Sequence, residues 1–287
     1  MSTPMAEAPL QVALGPTKRT EALFDGSVAD PALPLDLPAI PVISRAFAPM
    51  VREGRYEVSE MAIATFLMAK EAGVPLVLLP CVLAARFQEA ALLCRADGPI
   101  RSPADLRGAR IGVRAYSQTT GMWLRGTLAE NFGLPADAMR WITFEDAHVA
   151  TYRDPPFVQR AAEGATLEAM LKAGELDAAI FGNDTPADAA FRTVFPDPQA
   201  AGVAFEAAHG FVPVNHLLVA RADVARDRAG DLARLLALLA RAGASVTPRA
   251  ALAPALTLAA RFAAAQGLTA RTLTLDEIWH GTPPGLA

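Results

Sequence analysis

Cysteine is scarce, with only Cys81 and Cys94 in the chain. A lone pair inside apolar runs gives neither a disulfide framework nor metal-ligand spacing, so both read as buried, reduced thiols. Long apolar runs are also missing. The longest, Val74–Ala85, is broken by Pro80 and falls well short of the ~20 residues a membrane span needs. Nor is there a basic excess: 26 Lys and Arg stand against 30 Asp and Glu, a net charge of −4. Nucleic-acid binding, which requires a basic footprint, is therefore not expected. A small anionic ligand remains possible, because a few local arginines can hold one against the global charge. The opening stretch MSTPMAEAPLQVALG has no basic segment followed by an apolar one, so the expectation is a cytoplasmic protein without a membrane partner.

What the chain does have is a large apolar content, 52% of 287 residues, with 20% charged. That is enough for two lobes of about 100–150 residues each. Leu10–Leu14 reads as a buried strand closed by Gly15-Pro16, and Ala39–Ile43 as a second one between prolines. Ser59–Ala72 follows helical spacing, with Ser59 as its cap. Leu76–Leu79, Ala90–Arg95, Ala109–Val113, Met139–Phe144, Leu176–Phe181 and Val212–Ala220 read as strands. A one-turn start at Ser102–Leu106, a helix from Tyr116–Gly121 to about Phe132, and Gly164–Ala173, Asp231–Ala242 and Ala251–Ala265 read as helical. Strands alternating with helices predict a mostly parallel sheet with helices on both faces.

Two segments, DLRGARIGV (Asp105–Val113) running into Tyr116–Thr120 and LEAMLKAGELDAAIF (Leu167–Phe181), resemble parts of type II periplasmic-binding-protein folds. A narrower resemblance covers most of residues 10–225. It is carried by RTEALFDG (Arg19–Gly26), YEVSEM (Tyr56–Met61), Arg86-Phe87, Ser102–Val113, YSQTTGMWLR (Tyr116–Arg125) and FVPVNH (Phe211–His216). In these stretches the sequence resembles the 4,5-dihydroxyphthalate decarboxylase family. The resemblance implies an α/β, two-lobed fold with a ligand cleft between lobes, lobe one formed by 8–107 and 214–287 and lobe two by 108–213. It also implies a carboxy-lyase of aromatic catabolism, with 4,5-dihydroxyphthalate going to protocatechuate plus CO2 as the reference reaction. No cofactor and no metal are expected, and the partner is a small aromatic carboxylate. A homo-oligomer is left open.

The chemistry sets what to look for. Losing CO2 directly from an aryl carboxylate would leave an aryl carbanion, so the ring carbon is protonated first while a phenolate supplies electrons. Such a site needs a base near the hydroxyls, an acid near the ring carbon, and cations or N–H donors for the spectator carboxylate. Arg19, with Thr20 beside it, follows the first strand and would hold a carboxylate; the competing reading is a solvated surface arginine. Ser59 and Glu60 read as a helix N-terminus, where Glu60 is either a base or an ordinary first-turn acid. Arg86 either faces the cleft or pairs with Glu89. Tyr116, Ser117, Gln118, Thr119 and Thr120 form a polar cradle between strand and helix, more than a single N-cap requires. Trp123 and Arg125 read as helix packing and a salt bridge. Asn183 and Asp184 follow the Leu176–Phe181 strand, and Asn183 could bond a ring hydroxyl or simply turn the chain.

His216 sits in an apolar strand, where a histidine is usually a satisfied core residue. With the resemblance it becomes the expected proton carrier, supported by Glu60. His148 follows Glu145-Asp146, a spacing too weak to indicate a metal. The alternative to a decarboxylase is a non-catalytic solute-binding or sensor protein for a small anion, for which an export signal would be expected. A third option is another enzyme class on the same fold.

Overall fold

A computed structural model describes residues 8–182 and 185–286. Two six-stranded sheets organise the molecule. The first contains β1 (Leu10–Ala13), β2 (Leu35–Asp36), β3 (Val58–Ala62), β4 (Leu76–Ala85), β11 (Val214–Arg221) and β12 (Ser245–Val246), in the order β12-β4-β11-β3-β1-β2. The second contains β5 (Leu92–Arg95), β6 (Arg110–Val113), β7 (Arg140–Thr143), β8 (Val158–Arg160), β9 (Ala178–Ile180) and β10 (Phe191–Thr193), in the order β10-β5-β9-β6-β7-β8. This is the two-lobed α/β arrangement the resemblance implies.

The sheets are mixed, not mostly parallel. β4 and β11 run antiparallel to their neighbours in the first sheet, as β5 does in the second. Between Ala85 and Val214 the chain builds the second sheet, and β5 already pairs there, upstream of the expected boundary at 107. The two passages between sheets are tied together. The Arg86 amide donates to the Pro213 carbonyl at 3.0 Å, and Gln88 Nε2 donates to Asn215 Oδ1 at 2.7 Å.

Helices α1 (Glu21–Phe24), α2 (Ser44–Glu53), α3 (Ile63–Glu71), α4 (Thr119–Phe132) and α5 (Leu167–Ala173) lie on the path to the cleft. Two local expectations are corrected. Ser59 and Glu60 do not open a helix: they lie in β3, every residue of which is buried, and the helix starts at Ile63. A strand covered on both faces shows no alternation and so reads like a continuation of the helical pattern after it. Ala39–Ile43 is not a strand either, because the partner of β1 is the Leu35–Asp36 pair just upstream.

Candidate functional site

The first strand and the loop after it supply one wall of the cleft. β1 runs into Leu14-Gly15-Pro16, and the loop is closed on itself by Thr20. The Thr20 hydroxyl donates to the Gly15 carbonyl at 2.5 Å and accepts from the Thr17 amide at 2.9 Å. Thr20 is buried and is not a cleft residue, so its expected contact with a ligand is corrected to a structural one. The loop it ties presents Thr17, Lys18 and Arg19 to the cleft.

The floor comes from register. In the antiparallel β3–β11 pair, His216 lies opposite Ala62 and Leu218 opposite Glu60. Glu60 and His216 are therefore diagonal neighbours on one face, within reach of long side chains. On its other edge β11 slips against β4 around His216 and Leu217, near Pro80, which has no N–H to give a ladder. The result is a contact of 2.6 Å between Glu60 Oε1 and His216 Nδ1. The other carboxylate oxygen, Oε2, accepts the Gly15 amide at 3.0 Å. Gly15 allows that approach, since a Cβ there would stand 3.3 Å from Ile43 Cβ and 3.4 Å from Glu60 Oε2. The Glu60 side chain is 5% exposed and that of His216 18%. A carboxylate fixed on Nδ1 selects the ring's tautomer and leaves Nε2 as the working nitrogen.

Ser59, next to Glu60, turns away. It is buried, its hydroxyl donates to the Glu60 carbonyl at 2.7 Å, and it does not face the cleft.

The facing wall is built by β6, the turn after it and α4. Alternation along the turn sends Tyr116 backward and Ser117 forward. The Tyr116 hydroxyl donates to the Gln266 carbonyl at 3.1 Å, away from the cleft, so Tyr116 is corrected from a binding residue to a packing one. Its ring carries the guanidinium of Arg125, 3.9 Å from the centroid. Among the described residues Arg125 makes no salt bridge, contrary to expectation. It is fully buried and donates to Gln266 Oε1 and to the Tyr116 carbonyl, each at 2.6 Å. Ser117, Gln118, Thr119 and Thr120 do line the cleft. Gln118 is the N-cap of α4, and among the described residues no side chain accepts from that helix's first-turn amides. The N-terminus of a long helix with uncapped amides thus faces the cleft, an arrangement that favours an anion. Asn183 lies outside the described residues, as does Asp184.

Arg86 leaves the end of β4 and faces the cleft, not Glu89, with Nη2 3.3 Å from Thr120 Oγ1. Burial lowers its affinity for the proton relative to an ordinary arginine. Among the described residues neither Arg86 nor Arg19 has a carboxylate within ion-pair distance, whereas Arg114 lies 3.5 Å from Glu145. Two guanidiniums without a carboxylate therefore border a cavity of about 850 Å³ and suit a carboxylate ligand.

The cleft residues that the sequence reading did not assign to the site include Phe47, Thr65, Arg114 and His148. Arg114 carried the same signal as Arg86, a cation directly after an apolar strand. His148 carried only the weak Glu145-Asp146 spacing, and Phe47 and Thr65 carried none, because long-range packing brings them in. Among the described residues no three His, Cys, Asp or Glu side chains gather closely enough to hold a metal ion.

Comparison with known proteins accords with this geometry. The family model described as NMT1/THI5 like matches residues 44–180. A 4,5-dihydroxyphthalate decarboxylase from Pseudomonas putida is 33% identical over 183 residues, covering 60% of this chain and 69% of the relative. One of the same name from Comamonas testosteroni is 29% identical over 246 residues, covering 78% of this chain and 71% of the relative. Among solved structures, the periplasmic aliphatic sulphonate binding protein of Escherichia coli superposes with a TM-score of 0.58 at 15% identity, over 96% of this chain and 79% of that one. The alkanesulfonate-binding protein of Xanthomonas axonopodis pv. citri gives 0.55 at 14%, over 98% and 86%. The fold is that of the type II periplasmic binding proteins, and the chain belongs to the 4,5-dihydroxyphthalate decarboxylase family.

Proposed function

We propose that this protein is a carboxy-lyase that removes CO2 from a hydroxylated aromatic dicarboxylate, with 4,5-dihydroxyphthalate to protocatechuate as the reference reaction. The observation that carries the reading is the Glu60–His216 pair, 2.6 Å apart, on the floor of a cleft bordered by Arg19, Arg86 and the N-terminus of α4. A protein that only bound an anion would need the cations. It would have no use for an imidazole backed by a buried carboxylate, which is the arrangement of a proton carrier.

In this mechanism Arg19, Arg86 and the Ser117–Thr120 turn hold the two carboxylates. The hydroxyl para to the departing carboxylate supplies electrons to the ring as it ionises. His216 Nε2 delivers a proton to the carbon bearing that carboxylate while Nδ1 stays on Glu60. The carbon–carboxyl bond then breaks, its electron pair restores the aromatic ring, and CO2 leaves. The imidazole recovers its proton from the phenolic side or from solvent. Overall one proton is taken up and one CO2 released. Holding the reactant against a fixed donor and placing cations near the carboxylates are the two contributions the cleft makes.

The likeness to sulfonate-binding proteins favours a second reading, a binding protein for a small anion. CO2 release from a panel of hydroxylated phthalates and isophthalates, with and without EDTA, separates the two. Release that survives EDTA supports the decarboxylase. A thermal shift with one panel member and no release from any supports the binding protein.

A further inference from the structure

The cleft contains a second imidazole with a different character. His148 lies in the segment between β7 and β8 of the second sheet, yet it is gripped by residues of α2 and α3, which pack on the first. Its Nδ1 is 2.8 Å from the Thr65 hydroxyl. Arg52 donates from Nε to the His148 carbonyl and from Nη2 to the Ala147 carbonyl, both at 2.8 Å. The ring meets Phe47 edge-on, with centroids 5.6 Å apart, and His216 meets the same phenylalanine edge-on at 5.3 Å. Both imidazoles therefore border one ligand space, and Nε2 of His148 has no partner among the described residues.

Among the described residues no carboxylate backs this ring. Burial, with Arg114 and Arg52 nearby, pushes its pKa down to about 4, so it is neutral at physiological pH. A neutral imidazole has little to offer an anion that Arg19, Arg86 and the α4 amides already serve. It is matched to an uncharged group that can both donate and accept a hydrogen bond. On an aromatic dicarboxylate that group is a ring hydroxyl.

We propose that His148, held through Thr65 and Arg52, pairs with a ring hydroxyl of the ligand and so selects hydroxylated aromatic carboxylates over their unhydroxylated counterparts. The inference rests on the aromatic-carboxylate reading of the site and adds the residue that reads the ring substituent. A polar site built for a hydroxyl is left unpaired by an analogue lacking it, and the penalty for one such contact is about tenfold to a hundredfold in affinity.

The test is calorimetric binding of phthalate and of 4,5-dihydroxyphthalate to the full chain carrying His216→Ala, so that the dihydroxy compound is not consumed, with CO2 release followed separately on the chain with His216. With His148 and Thr65 wild type, the dihydroxy compound should bind about tenfold to a hundredfold more tightly. His148→Phe, which keeps an aromatic ring against Phe47, and Thr65→Val, a near-isosteric change that frees the ring, should reduce that preference to about threefold or less, while phthalate affinity stays within about twofold. A preference retained in both variants overturns the proposal, as does equal weakening of both ligands or the absence of any preference with His148 and Thr65 in place. Preference without any CO2 release leaves His148 as the hydroxyl reader and removes the decarboxylase reading instead. If neither compound binds, both fall.

Discussion

Replacing Glu60 by glutamine perturbs the proposed chemistry while conserving side-chain volume. The carboxylate accepts two hydrogen bonds, from His216 Nδ1 at 2.6 Å and from the Gly15 amide at 3.0 Å. An amide cannot serve both in the same way, since it has one accepting oxygen and one donating nitrogen. If the oxygen stays on Gly15, the amide nitrogen donates to Nδ1 and holds the ring as the neutral Nε2–H tautomer, which cannot charge to the imidazolium that delivers a proton from Nε2. If the oxygen faces Nδ1, two donors are opposed at Gly15, at a cost of about 1–3 kcal/mol. Loss of general acid–base function is worth about 10²–10⁴ in kcat, and the tautomer trap lies toward the upper end. The effect on stability is smaller, since removing a buried charge offsets part of the lost hydrogen bonding; a change within about 2 kcal/mol is expected. The assay is steady-state CO2 release with 4,5-dihydroxyphthalate, beside a thermal melt of the same samples. A folded Glu60→Gln variant whose kcat stays within about threefold of the wild type would refute the proton-carrier role of the pair.

Arg86→Gln should raise KM about tenfold to a hundredfold with a smaller change in kcat, if its guanidinium holds a carboxylate about equally in the ground state and the transition state; steady-state kinetics checks the split. Gly126→Ala should destabilise the fold by about 1–3 kcal/mol, because a methyl group there collides with the Phe262 ring where α4 meets the Arg249–Ala265 helix; denaturant unfolding measures it. His148 gives a pH signature. The unfolded chain binds a proton near pH 6.5, which the folded one refuses until about pH 4, so the folded state loses stability as pH falls through that window. The loss should reach about 2 kcal/mol between pH 7 and pH 5, and the difference in denaturant midpoints between those values should shrink in a His148→Asn variant.

Much of this site was legible because its carriers sit at element ends. The turn after Ala109–Val113 and the cation after the β4 run both follow from the rule that polar residues at strand termini face the crevice of an open sheet. The rule failed at the next level of detail. Within the polar run, alternation alone decides that Ser117 faces the cleft and Tyr116 the core, and the phase of that alternation depends on Arg125 and Gln266, the latter 150 residues away from Tyr116. Thr20 looked like a ligand contact because its neighbour Arg19 lines the cleft. Glu60 was singled out for a reason the structure replaces: it belongs to a doubly covered strand, and its value comes from cross-strand register with His216. His148 carried in sequence only a hint of a metal, too weak to use. Its surroundings are Phe47 and Thr65, brought to it by packing between the two sheets, and only its neighbours Glu145 and Asp146 were visible in sequence. The antiparallel placement of β4 and β11 was hidden for the same reason, since both are apolar runs whose partners are set by the chain's two passages between sheets.

The most direct test of the central claim is release of labelled CO2 from carboxyl-labelled 4,5-dihydroxyphthalate, measured with equal amounts of folded wild-type and His216→Ala protein and with protocatechuate followed in parallel. The account predicts CO2 and protocatechuate in equal amounts from the wild type and a rate at least about 10² lower from the variant. Saturable binding of the compound by the wild type without CO2 release, or release that His216→Ala leaves unchanged, would contradict it.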